Sequence, residues 1–321
     1  MTKRRVLITG GAGFIGFSLV KALSDTEVVV FDNFARSHPK VRLALSAMNH
    51  VSVVSGDILD ERAVNDAVLG CTEILHCAAV AGVQTVSLNS FDTIMINGVG
   101  SMNVLRAARN NSIPRVVMLS TSEVYGPFAL SARESNPTVI LPAGEPRWTY
   151  AASKLFEEHA ALALHRPDGT NCMVVRPFNI YGPGQVGDGA IRNFIMAALQ
   201  DQDLIVRSSP DAVRSWCYID DFVRALTGLL DGGLGWGKII NIGDPNTAIS
   251  VLELAQLVLN NVPKSRSRIL ISENPAIDIV ARTPDVTLLN SFVAYSGTMS
   301  LENGIVRTRD WLIGNLHDSS L

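Results

Sequence analysis

Along the first half of the chain, short continuous apolar runs alternate with longer stretches whose apolar positions recur every three to four residues. The runs cover residues 5–9, 27–32, 50–55, 73–77, 115–120 and 172–176. A strand covered on both faces needs no polar side, so these runs predict buried strands of a parallel sheet. The stretches between them, at 14–24, 61–69, 97–110 and 149–165, predict helices. Strand and helix in alternation predict an α/β fold with a doubly wound parallel sheet.

After Pro177 the pattern changes. Residues 181–189 read Tyr-Gly-Pro-Gly-Gln-Val-Gly-Asp-Gly, too rich in Gly and Pro for a regular element, and predict a loop. Helical periodicity returns at 190–199, 220–230 and 251–260. The expected organisation is a first domain over 1–178 and a smaller C-terminal lobe over 179–321, with residues of about 214–245 returning to the first sheet.

Composition narrows the field. At 321 residues, 47% hydrophobic and 18% charged, the chain can bury a large core. The net charge of −3 leaves no basic field, so neither nucleic acid nor an anionic membrane surface is an expected partner. An anionic ligand must instead be held by a few arginines and backbone amides. No apolar run approaches the roughly 20 residues of a membrane span. The charged start Met1-Thr2-Lys3-Arg4-Arg5 is followed by only Val6-Leu7-Ile8-Thr9 before a glycine cluster, which suits a buried strand better than a signal peptide. Cys71, Cys77, Cys172 and Cys217 lack metal-ligand spacing; reduced core thiols in a cytoplasmic protein without a metal site are expected.

Gly10-Gly11-Ala12-Gly13-Phe14-Ile15-Gly16 directly follows the first strand and opens a helix. Glycines there permit a tight turn and let backbone amides approach a pyrophosphate at the positive end of the helix. The second strand ends at Asp32, about 20 residues on, where a carboxylate can accept hydrogen bonds from ribose hydroxyls. That carboxylate repels a 2′-phosphate, so the expected cofactor is NAD and not NADP.

Tyr150 and Lys154 stand four apart at the start of a helix, hence on one face. A neighbouring ammonium favours the phenolate, which predicts a lowered Tyr150 pKa and a base able to take a proton from a substrate hydroxyl. The strand at 115–120 runs into Thr121-Ser122-Glu123-Val124-Tyr125-Gly126. Polar residues at a strand's carboxyl end lie where ligands bind in open α/β sheets.

Taken in order, Gly10 to Gly16, Asp32, His76-Cys77-Ala78-Ala79, Asn97, Thr121 to Gly126, Tyr150-x-x-x-Lys154 and Arg176-Pro177-Phe178-Asn179-Ile180-Tyr181-Gly182-Pro183-Gly184 resemble the extended short-chain dehydrogenases/reductases. These are the nucleotide-sugar epimerases, dehydratases and decarboxylases. The resemblance covers nearly the whole chain, weakens after about Asn290, and implies a Rossmann domain. For the cofactor it implies Gly10, Gly13, Phe14, Ile15, Gly16, Asp32, Asn33, Asp57, Ile58, Ala78, Ala79, Asn97, Tyr150, Lys154 and Pro177, with Asp57 at the adenine. For catalysis it implies Thr121, Ser122, Glu123, Tyr150 and Lys154, with Thr121 holding the sugar's 4-oxygen. For a nucleotide sugar, UDP-linked, it implies Asn179, Arg214 and Arg282 at the phosphates and Leu204 and Val206 beside the base. It also implies a homodimer built on the helices at 97–110 and 149–165.

Members of that family begin by oxidising C4 of the sugar, and the residues beside Thr121 select the later steps. Simple 4-epimerases typically lack an acid where this chain has Glu123. In the dehydratases that position supplies the base for the C5 proton. The triplet Thr121-Ser122-Glu123 lacks the aspartate found in many 4,6-dehydratases and is shared by GDP-mannose 4,6-dehydratases and UDP-glucuronate decarboxylases. Decarboxylases often carry Gly-Pro-Arg where this chain reads Gly182-Pro183-Gly184, although Arg192 or Arg214 could substitute. The expected reaction is therefore dehydration of a neutral hexose, with decarboxylation and 4-epimerisation as the alternatives.

Overall fold

A computed structural model describes residues 3–166, 169–272 and 279–315; Met1, Thr2 and the last six residues of the expected C-terminal lobe lie outside them. The strands in chain order are β1 (Arg5–Thr9), β2 (Glu27–Asp32), β3 (Val51–Ser55), β4 (Glu73–His76), β5 (Arg115–Leu119), β6 (Phe128–Ala132), β7 (Asn171–Pro177) and β8 (Ile180–Tyr181). There follow β9 (Leu204–Val206), β10 (Val213–Arg214), β11 (Cys217–Tyr218), β12 (Ile239–Ile242), β13 (Ile249–Ser250), β14 (Ile269–Ile271) and β15 (Ala281–Pro284).

Seven strands form one sheet in the order β12-β7-β5-β4-β1-β2-β3, parallel from β7 through β3. The runs of the inner strands are buried as expected: Val6, Leu7 and Ile8 of β1 and Val116, Val117 and Met118 of β5 have no exposed surface, whereas the run at β3, on the sheet edge, is not buried, with Ser52, Val54 and Ser55 exposed. One core layer joins Leu7, Val29, Ile74 and Val116 to Val64, Val104 and Ala108 of the covering helices. The strand order reverses between β1 and β4, and a ligand crevice opens beyond the carboxyl ends of strands at such a switch point. Thr9 and His76 are the last register partners there.

The chain divides into two compact units. The first takes residues up to Val124, Ile140–Arg176 and Thr227–Ile240, so the segment that returns to it is 227–240. The second takes Tyr125–Val139, Pro177–Leu226 and Asn241 onward. Its four-stranded sheet runs β13-β10-β15-β6. The loop expected at 181–189 follows β8 and ends at helix Ala190–Leu199. The segment expected as one helix over 97–110 instead begins as a π-helix, Met95–Gly100, and continues as α-helix Ser101–Asn110. Among the described residues no helix is long and apolar enough to cross a membrane, and no group of His, Cys, Asp and Glu is arranged to hold a metal ion.

Candidate active site

The glycine loop turns at Gly10, whose φ of +67° favours a residue without a side chain. A Cβ there would lie 2.6 Å from Ala78 N, and one at Gly16 would strike Gly10 O. Helix Phe14–Ala22 has no side-chain cap and no acid in its first turn, with Gly13 at its N-cap and Phe14 and Ile15 following. Its first amides are thus left for an anion, and the close-packed loop fits a pyrophosphate laid across it. Gly10→Ala is expected to abolish dinucleotide binding and lower thermal stability; calorimetric titration with NAD and a thermal melt check both.

Asp32 braces this loop from inside, its Oδ2 accepting from Ala12 N at 2.9 Å and its Oδ1 from Phe34 N at 2.7 Å. Burial raises its pKa despite those two bonds. Asn33 Nδ2 donates to Asp57 Oδ2 at 2.9 Å, tying the ends of β2 and β3, while Ile58 is buried against Gly100. Ala78 and Ala79 are half-buried in the turn after β4. Asn97, fully buried in the π-helix, accepts from Val80 N and donates to Val80 O and Ser153 Oγ. It therefore clamps the turn after β4 to the helix that carries Tyr150. Pro177 ends β7.

That helix, Pro146–Leu164, starts with proline in its first turn, where a missing N–H costs nothing. The Tyr150 phenol is hydrogen-bonded to the Thr121 hydroxyl. Thr121 Oγ1 also accepts from Glu123 N at 3.1 Å, and Glu123 stands on the 3-10 turn Ser122–Tyr125 with Ser122 buried beneath it. Arg147, one turn before Tyr150, reaches Glu123 at 3.6 Å. Thr121, Glu123, Tyr150 and Lys154 are thus gathered at the carboxyl end of β5.

The lowered Tyr150 pKa expected from sequence is not what the environment produces. Burial pushes the phenol up, and Glu157 and Glu123 push the same way, against Lys154 and the Thr121 bond. Lys154 is itself engaged: its Nζ donates to Glu157 Oε2 at 3.0 Å, with both side chains at most 2% exposed. Glu157 and its neighbour Ser101 were not legible as site residues, nor was Arg147. The helical spacing 154–157 reads equally well as an exposed surface pair.

Behind Glu157 the polar chain continues inward. Ser101 faces the Glu157 carboxylate and favours its charge, His76 Nε2 meets Ser101 Oγ at 2.7 Å, and His76 Nδ1 meets Thr9 Oγ1 at 2.7 Å. Burial, aided by Lys154, holds the His76 imidazole down at about 3. The unfolded chain binds a proton there near the ordinary 6.5, so stability present above that pH is lost as pH falls toward 3. The expected slope is about 1.4 kcal/mol per pH unit. Urea denaturation across this window should show it, and His76→Asn should flatten it.

In the second unit, Arg214 on β10 and Arg282 on β15 are direct register partners on neighbouring parallel strands, 7% and 2% exposed. Adjacent register partners leave the sheet on the same face, so both arginine side chains start from one side of it. Asn179, with φ of +41°, donates from Nδ2 to Ser215 O at 2.7 Å and so pins the residue next to Arg214. Leu204 and Val206 point into the core with no exposed surface, while Ile205 points out. What the first two could offer a nucleobase is backbone and not side chain. Arg192 is buried in helix Ala190–Leu199.

Residues 6–243 match the NAD dependent epimerase/dehydratase family, and the chain belongs to it. Its cofactor is NAD. The chain is 33% identical to the UDP-N-acetyl-alpha-D-glucosaminuronate decarboxylase of Bacillus cytotoxicus, covering 96% of this chain and 98% of that one. It is 30% identical to the dTDP-glucose 4,6-dehydratase of Streptomyces niveus, over 97% and 93%. Among solved structures, UDP-glucuronic acid 4-epimerase from Bacillus cereus, in complex with UDP-glucuronic acid and NAD, superimposes with a TM-score of 0.88 at 25% identity, over 97% and 99%.

Proposed function

We propose that this enzyme is an NAD-dependent dehydratase of a UDP-linked hexose, a UDP-N-acetylglucosamine 5,6-dehydratase of nucleoside antibiotic biosynthesis working as a cytoplasmic homodimer. The chain as a whole resembles the dehydratase of that kind in the tunicamycin pathway. The observation that carries the reading is Glu123, a carboxylate two residues after Thr121, its backbone N–H held by the Thr121 hydroxyl, and within electrostatic reach of Tyr150.

In this reading Tyr150 takes the proton from the sugar's 4-hydroxyl, Thr121 holds that oxygen, and Lys154 supports the phenolate. Held by the glycine loop of Gly10 to Gly16, with Asp32 at its ribose, NAD would supply the reversible oxidation at C4. The transient 4-ketone acidifies the C5 hydrogen, and Glu123 removes it. The same carboxyl returns the proton to the departing C6 hydroxyl: C5–H and C6–O break, a C5–C6 alkene forms and water leaves. Arg214 and Arg282 hold the diphosphate, since paired guanidiniums suit phosphate oxygens. A surface groove lined by Met102, Leu105, Arg106, Ala160 and Leu164, on helices Ser101–Asn110 and Pro146–Leu164, is the proposed dimer face.

One observation favours decarboxylation as the second reading. Arg147 brings a guanidinium to within 3.6 Å of Glu123, where a C6 carboxylate would need a cation, and the Bacillus cytotoxicus relative is named as a decarboxylase. Mass spectrometry and proton NMR after incubation with UDP-N-acetylglucosamine, UDP-glucose, UDP-glucuronate and UDP-N-acetylglucosaminuronate separate the two. Loss of water with new alkene protons at C6 supports the 5,6-dehydratase, and a new methyl signal would send the hydride to C6 instead. Loss of carbon dioxide from a uronate, with the neutral sugars untouched, overturns dehydration.

A further inference from the structure

Lysine is rarely buried because its ammonium loses hydration, and a buried lysine without a partner sheds its proton. Lys154 is 2% exposed, and its Nζ donates to Glu157 Oε2 at 3.0 Å. The groups facing the lysine are Tyr150 and Glu157 on its own helix and Cys77 from the turn after β4. Those facing Glu157 are Lys154, Ser101 and Glu158. Glu158 is itself held by Arg176 and Ser120, and Ser101 is held by His76. Glu123, with Arg147 beside it, faces Tyr150 from the far side.

We propose that Glu157 is a positioning residue for Lys154: it keeps the buried lysine as an ammonium and fixes it one turn from Tyr150, braced through Ser101 and His76 to Thr9 at the rim of the glycine loop. The inference rests on the reading of Tyr150 and Lys154 as base and partner. Electrostatics agree with the geometry. Burial works to strip the Lys154 proton, but Glu157 first and Tyr150 second more than offset it. Burial in turn raises the Glu157 carboxyl to about 7, with Lys154 and Ser101 opposing. The loop that receives the dinucleotide and the lysine that serves the chemistry therefore share one buried polar chain.

The test is a pH titration of Lys154 followed by NMR in protein labelled at lysine Cε, the resonance assigned by its loss in Lys154→Arg. In Glu157→Gln the lysine should lose its proton at least about one pH unit lower than in wild type, with Glu157→Asp in between. The basic limb of the kcat/KM profile should move down with it. An unmoved Lys154 titration in folded Glu157→Gln overturns the proposal. Should that variant fail to fold, Ser101→Ala must shift the titration in the same direction by less, and no shift there is equally fatal. Full turnover by Tyr150→Phe would overturn the reading of the site while leaving a moved Lys154 titration, and the positioning role, intact.

Discussion

Tyr150→Phe should lower turnover by between about a hundred- and ten-thousand-fold, the range ascribed to a general acid–base group. The substitution removes one hydroxyl and leaves the ring. Thr121 loses its hydrogen-bond partner, but Arg214 and Arg282 lie in the other unit and keep their geometry. Binding of the nucleotide sugar should therefore stay within a few-fold of wild type while the chemical step fails. Single-turnover absorbance of reduced cofactor reads the first step, and calorimetry reads the binding. Turnover within about tenfold of wild type would mean that another group takes the 4-hydroxyl proton.

Glu158→Ala should destabilise the protein by about 3–5 kcal/mol, the range for breaking a buried ion pair. Arg176 on β7 donates from Nε to Glu158 Oε1 at 2.8 Å and from Nη2 to Oε2 at 2.6 Å, and both side chains are 2% exposed. Ser120, at the end of β5, donates to the same carboxylate. Removing Glu158 takes from the buried Arg176 guanidinium the carboxylate that bonds it through two nitrogens. Glu158→Leu combined with Arg176→Met should recover most of the loss, because two apolar groups leave no orphaned charge. Urea denaturation of the single and double variants measures both. A single variant within about 1 kcal/mol of wild type would show that water reaches Arg176.

The sequence made the parallel sheet legible because β1, β2 and β5 are continuous apolar runs, a pattern that depends on nothing outside the strand. Helix 251–260 was equally readable, and its start carries a reciprocal cap between Ser250 and Glu253. Strand β6 was not foreseen. Phe128 and Leu130, its large apolar side chains, are more than 70% exposed, so the strand exists through its ladder to β15, some 150 residues away. The first turn of the Tyr150 helix was read three residues late although Pro146 marks it. Of the expected site residues, Gly10, Tyr150 and Lys154 followed from spacing and Thr121 from the family resemblance, and the fold gathers the last three at the end of β5. Glu157 was not legible, because its burial depends on Ser101, brought beside it only by the fold. Nor does spacing tell that burial, acting on Tyr150, would outweigh a lysine one turn away.

In the proposed function, the register-partnered arginines of β10 and β15 would also govern how the enzyme lets go. Two guanidiniums on adjacent register positions would both find hydrogen-bond acceptors in a diphosphate laid across the two strands. The nucleoside diphosphate is common to substrate and product, so those bonds would be the same before and after the reaction. In the proposed function these arginines would anchor the ligand without favouring either side of the chemistry, so the part of the molecule that never reacts would set the dwell time. On that reading, release of the product nucleotide sugar is expected to be slow, and free nucleoside diphosphate is expected to compete with the substrate for the same arginines.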